Sequence, residues 1–195
     1  MILPAATLLK KAADWQPDLL VAGSHGRSAL GRFVLGSVSQ KLVHDAHCSV
    51  RVARGRSVDP ALPPRLLIGV DGSPGSEAAL RAVAGRAWLA GAEVRVVAAM
   101  DEVIAEVVGY LDATQQQGWT WLQDTLKTLL PAGLAVSPHL LKGDPKHVLL
   151  KEAETWDADC IFVGARSLSR LERWRLGSVS SAVTARAHCS VEVVR

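Results

Sequence analysis

The chain has little from which to build a covalent framework. It has three cysteines in 195 residues, widely spaced and odd in number, so no disulfide scaffold can hold it and a reducing cytoplasm is the expected compartment. It has no marked excess of one charge: the formal balance is +3, and no Lys/Arg run is interleaved with aromatics, which argues against a nucleic-acid partner. The opening stretch MILPAATLL is apolar but short, and Lys10 and Lys11 follow it rather than precede it, which argues against a signal peptide or a membrane span. Also missing are a Ser-His-Asp set, paired carboxylates and a P-loop ending in Gly-Lys-Ser, so a hydrolase or kinase is not supported and no catalytic residue is assigned.

An internal repeat is present. Trp15–Arg54 aligns without a gap on Trp156–Arg195, with 18 of 40 positions identical, and both copies end in AHCSV. LLKKAADW matches LLKEAETW just upstream. The second copy is preceded by a long region from Arg65 to Lys146 that has no counterpart before Met1. The organisation expected is a C-terminal half unit over residues 1–54, an exposed linker GRSVDPALPP over 55–64, and a complete unit over 65–195. On this reading Met1 is not the original start of the first unit, and the chain descends from, or was cut from, a longer two-domain protein.

Within the complete unit the pattern alternates. RLLIGVD, EVRVVAAM, LAVSPHLL, ADCIFVGA and CSVEVVR are short apolar runs of strand length. Helical patterns separate them: one opened by Pro74, one from Asp112 to Leu130, one opened by Asp144-Pro145, and one over Arg173 to Ala187. The order βαβαβαβαβ predicts an α/β fold, a doubly wound parallel five-stranded sheet with helices on both faces. Ligands of such sheets sit at the carboxyl ends of the strands, where the strand order reverses.

The loops carry the chemistry. Asp71 closes the first strand of the complete unit, where a carboxylate can accept from a base or a ribose. GSHGRSALGRFVLGSVS (Gly23–Ser39) and GARSLSRLERWRLGSVS (Gly164–Ser180) share one frame, with glycines that permit close backbone approach and a final Gly-Ser that opens a helix. A helix N-terminus offers free N–H groups and a favourable dipole to phosphate. Taken singly, Asp71-Gly72-Ser73 reads as a helix N-cap and the glycines as turn residues. The ordered set of strand-Asp, strand-Gly-x2-Gly-x9-Gly-Ser and strand-CSV is more specific.

That ordered set, strongest in IGVDGSPGSEAAL, DLLVAGSHGRSALGRFVLGSVS and the two AHCSV ends, resembles the universal stress protein family, whose members divide into ATP binders and non-binders. The resemblance implies an adenine nucleotide alpha-hydrolase-like fold and an adenine site at Asp71 and Val163. It implies phosphate and ribose contacts from Gly164, Arg166, Ser167, Gly177, Ser178, Val179 and Ser180, and a vestigial loop at Gly23, Gly26, Gly36, Ser37, Val38 and Ser39. It also implies dimerisation through the last strands, here between the two copies within one chain, with Cys48–Ala53 held against Cys189–Arg195 in a pseudo-two-fold contact, or between chains, and no metal beyond the Mg that accompanies ATP. Ser167 departs from the pattern where the loop has its second glycine; at a positive φ a serine costs about 1–2 kcal/mol. Arg166, Arg170, Arg173 and Arg175 either supply charge to a phosphate or form a solvated basic helix start.

His47-Cys48 and His188-Cys189 recur in both copies, but adjacent strand residues point to opposite faces, which argues against a shared zinc site. Cys160 and five tryptophans (Trp15, Trp88, Trp119, Trp121, Trp156) read as packing residues, and Trp174, in the loop segment, as a cover for the pocket. Three functions stand: a cytoplasmic stress-response protein with weak or degenerate ATP binding, a non-binding interaction protein of the same fold with partners the sequence does not name, and, less favoured, a slow ATPase.

Overall fold

The computed structural model describes residues 4–24, 35–54, 61–100, 120–124, 126–127, 133–165 and 176–195. In the first copy these form α1 (Pro4–Trp15), β1 (Leu19–Gly23), α2 (Ser37–Asp45) and β2 (Ser49–Ala53). Then follow β3 (Arg65–Val70), α3 (Pro74–Ala84), β4 (Glu93–Met100), β5 (Ala135–Lys142), α4 (Pro145–Trp156), β6 (Cys160–Gly164), α5 (Ser178–Arg186) and β7 (Ser190–Val194). Residues 120–124 are helical, inside the helix expected over 112–130, the rest of which lies largely outside the described residues.

All seven strands join one sheet in the order β1-β2-β7-β6-β3-β4-β5. Every neighbouring pair is parallel except β2 and β7, which run antiparallel. Residues 65–195 form the expected five-stranded parallel sheet, in the order β7-β6-β3-β4-β5, and β1 and β2 of the first copy extend it to a mixed sheet of seven described strands. β1 and β2 extend it because Val50 and Val52 continue the apolar face of Val191 and Val193, and one core runs under both. That core packs α1, α2, α4 and α5 against one face of the sheet. The opposite face buries Leu66, Ile68, Val94, Val96 and Phe162 beneath α3, Leu122 and Trp88.

Local chemistry explains the element bounds. Ser73 caps α3 by accepting the Ser76 N–H at 3.2 Å, with Pro74 in the first turn. Asp144 caps α4 by accepting the Lys146 N–H at 2.8 Å, and that bond holds its carboxyl below the usual range. Pro138 sits in β5, opposite Val96, and β5 is an edge strand, the position where a proline costs the sheet least. The helix expected from Arg173 begins only at Ser178, because Gly177 is extended (φ −67°, ψ 157°) and serves as its cap. Trp88 packs as expected, beyond the end of α3, its Nε1 donating to the Val83 carbonyl at 2.8 Å and its ring edge-on to Phe162. One tryptophan departs from expectation. Trp15 is 76% exposed, whereas its repeat equivalent Trp156 packs on the core under the Arg95 guanidinium.

Arg95 also donates to Glu152 at 2.6 Å, and His139 faces the same carboxylate at 3.6 Å. Burial, then the Arg95 charge, hold the His139 imidazole below its ordinary value of 6.5, with Glu152 opposing. The unfolded chain therefore takes up this proton first. The resulting loss of stability is absent well above pH 6.5 and grows as the pH falls through and below it. His139→Gln is expected to flatten the pH dependence of unfolding between neutrality and mild acid, measured by urea denaturation across that range.

Candidate functional site

The strand order reverses at β3, which continues through β4 to β5 on one side and meets β6 and β7 on the other. β3 and β6 are in register from Leu66–Cys160 to Ile68–Phe162, so Asp71 and Gly164 leave the sheet at neighbouring strand ends. A crevice of about 100 Å³ opens there. It is lined by Val70 and Asp71 from β3, Val163 and Gly164 from β6, and Val179 and Ser180 from α5, closed by Leu149 and Ala99.

Each wall has a local cause. Asp71 is exposed, and its Oδ1 accepts the Ser73 N–H at 3.0 Å, which turns the chain into α3. Gly72 makes that turn with φ +77°, and the Trp121 ring lies beside it. Gly177 and the exposed Ser178 open α5 with no side-chain cap, so the first N–H groups of that helix point free of an intrahelical partner. The Ser180 hydroxyl donates to the Gly164 carbonyl at 2.7 Å, fastening the start of α5 to the end of β6. The first copy repeats the device: Ser39 donates to the Gly23 carbonyl at 2.6 Å.

The structure thus brings Asp71, Val163, Gly164, Val179 and Ser180 together on one crevice, with Gly177 and Ser178 at the helix start beside it. Arg166 and Ser167 lie outside the described residues, as do Arg170, Arg173, Trp174 and Arg175. In the first copy Gly23, Gly36, Ser37, Val38 and Ser39 sit at the ends of β1 and α2, and Gly26 lies outside the described residues. Among the described residues β1 is an edge strand, and no neighbouring strand end stands across from that loop as β3 stands across from β6. Among the described residues no group of three His, Cys, Asp or Glu side chains is placed to hold a metal. Burial pushes the Cys160 thiol up to about 12, so it stays protonated at neutral pH.

The comparisons with known proteins bear on this arrangement. The universal stress protein family model matches residues 3–54 and 64–195. The chain belongs to the universal stress protein family. A universal stress protein of Mycobacterium tuberculosis is 34% identical over 188 residues, covering 92% of this chain and 62% of the relative. One from Mycolicibacterium smegmatis is 31% identical, covering 98% of this chain and 65% of its own. The chain therefore spans a little under two thirds of the length of these relatives. Among solved structures, a universal stress protein from Archaeoglobus fulgidus superposes with a TM-score of 0.68 at 25% identity, over 98% of this chain and 65% of that one. A universal stress protein solved in complex with cAMP shares the fold at 23% identity and a TM-score of 0.51, over 68% of this chain and 97% of that one. Within the described residues no helix is long and apolar enough to cross a membrane.

Sequence reasoning missed Gly75. A Cβ on Gly164 would collide with the Gly75 carbonyl group, and a Cβ on Gly75 would come within 2.6 Å of the Ala165 carbonyl oxygen. The two glycines let the start of α3 rest directly on the end of β6, so Gly164 has a packing reason to be glycine whatever the loop binds. Its signal was present as the glycine of SPGSEAAL, which sits where a helix prefers alanine. Gly164→Ala is expected to lower unfolding stability by about 3 kcal/mol, against about 1 kcal/mol for Ser180→Ala, both read from urea titrations. Equal, small losses would show that the contact relaxes freely.

Proposed function

We propose that this universal stress protein is a stress-response protein that keeps an adenine-nucleotide site in weakened form within residues 65–195. The observation that carries this is the convergence of Asp71, Gly164 and the uncapped start of α5 on one crevice at the strand-order reversal. A carboxylate there suits a base or ribose, and free helical N–H groups suit phosphate, with Mg accompanying the nucleotide. The loop substitution at Ser167 weakens the site. The protein acts by binding rather than turnover: beyond Asp71 no described side chain at the crevice is suited to activate water. The ligand of the cAMP-bound relative adds cyclic nucleotide to the panel worth testing. Calorimetric titration with Mg-ATP is expected to show weak binding, about tenfold tighter in Ser167→Gly and abolished in Asp71→Ala. Equal affinity of the wild type and Ser167→Gly removes the loop from the account. No binding by any variant favours the second reading, an interaction protein of the same fold, which draws support from the small crevice and the Ser180 proton already given to Gly164.

A second part of the proposal concerns residues 1–54 as a half unit, followed by a linker over 55–64 of which 55–60 lie outside the described residues. Support comes from comparing repeat equivalents. Val21 is 62% exposed where Phe162 is fully buried. Asp159 accepts the Arg65 N–H at the start of β3, at 2.8 Å, and its equivalent Asp18 stands, among the described residues, on an edge with no strand beyond it. Limited proteolysis is expected to nick 55–64 first and leave the two pieces associated on gel filtration. Early cuts within 65–195, or separation of the pieces, would contradict it.

A further inference from the structure

The joint between β2 and β7 has a local two-fold axis. Val50 faces Val193, Arg51 faces Glu192 and Val52 faces Val191. Arg51 and Glu192 are also repeat equivalents, 141 residues apart, so the axis passes through this pair. Around it the joint is symmetric. The Arg54 N–H donates to the Ser190 hydroxyl and the Arg195 N–H to the Ser49 hydroxyl, both at 3.2 Å. The Arg195 guanidinium crosses to the carbonyls of Cys48 and Val43, and the Arg54 guanidinium to those of Cys189 and Thr184. Those partners are equivalent in the repeat. Only the axial position breaks the symmetry in charge.

Glu192 is fully buried. Its Oε2 accepts from Arg51 Nε and Arg86 Nη1, both at 2.9 Å, and its Oε1 accepts from Arg86 Nη2 at 2.5 Å. Both guanidinium carbons lie within 5.7 Å of the Phe162 ring centroid. Arg86 lies outside the repeated segment, so it serves Glu192 alone. On a two-fold joint the axial residue of any self-pairing faces its own copy. β2 against β2 would set Arg51 against Arg51 with no carboxylate between them. β7 against β7 would put two buried Glu192 carboxylates on the axis with one arginine each. Only the mixed joint gives one carboxylate two arginines.

We propose that the Arg51–Glu192–Arg86 triad selects the partner at this edge: β7 accepts an antiparallel strand with arginine at the axial position, and like-with-like pairing between two copies of the chain is rejected. Buried ion triads contribute little net stability, and their best-attested use is to specify pairing, whereas breaking one by removing a partner is costly. Like charges directly opposed across a strand pair add to that cost.

Two variants of the full chain test this. Arg51→Glu places two carboxylates on the axis, and amide hydrogen exchange in 49–53 and 190–194 is expected to speed up by about a hundredfold or more; wild-type protection there overturns the proposal. R51Q/E192Q makes the axial residues identical and mutually hydrogen-bonding; Arg86, partly exposed, turns to water at some cost in stability, while discrimination is erased. Light scattering is expected to show a species of doubled mass that grows with concentration in R51Q/E192Q and not in the wild type. A double variant that keeps the wild-type mass at every concentration, or a wild type that doubles equally, overturns it.

Discussion

A buried strand with an unpaired edge costs free energy, because each amide facing away from both water and a partner loses its hydrogen bond. β7 is such a strand: Val191 and Val193 are fully buried, and so is Glu192 between them. Parallel pairing with β6 satisfies one edge. The other is satisfied by β2, and on this antiparallel joint the rest of the structure depends. It places Val50 and Val52 over the same core as Val183 and Val191, so the two copies share one core. The arginines at the ends of the joint each give their guanidinium to carbonyls near the end of the opposite helix, where cations are favoured.

The joint also reaches the loops. In each copy the residue after the strand-end glycine donates its N–H to the last strand: Ser24 to Ala53 at 2.9 Å and Ala165 to Val194 at 2.8 Å. The two glycine loops therefore leave from strands that stand on either side of one axis. They differ in what faces them. In the second copy β3 lies alongside β6 and supplies Asp71, with α3 seated on Gly164. In the first copy β1 ends the sheet, and Val21 and Trp15 are exposed. The same motif is thus part of a walled crevice in the middle of the sheet in one copy and, among the described residues, sits at the edge strand in the other.

Electrostatics and packing divide the two faces of the sheet. One face is apolar from β1 to β6. The other carries, in one register row, Val21, Arg51, Glu192, Phe162 and Ile68. Charge enters that row at the joint, where Arg86, beyond the end of α3, reaches Glu192 and Trp88 packs edge-on to Phe162. Burying a carboxylate there is tolerable because two guanidinium groups saturate its oxygens.

Strand and helix identity was legible in the sequence, since apolar runs such as CIFVG and the Ser73-Pro74 and Asp144-Pro145 starts are local signals. So was the family frame of the site: Asp71, Gly164 and Ser180 do share one crevice. The start of α5 was signalled by the Gly177-Ser178 pair, whereas the helical composition of the basic segment before it placed the helix too early, from Arg173. The partnership of Gly75 with Gly164 was hidden because it joins residues far apart in the chain through the absence of two side chains. The repeat, a property of sequence alone, determined that two equivalent strands exist. That the two last strands would pair was expected from the family's contact; that they meet in the register that sets Arg51 against Glu192 was decided by the tertiary structure, because register depends on which edge is left unsatisfied once the core has formed.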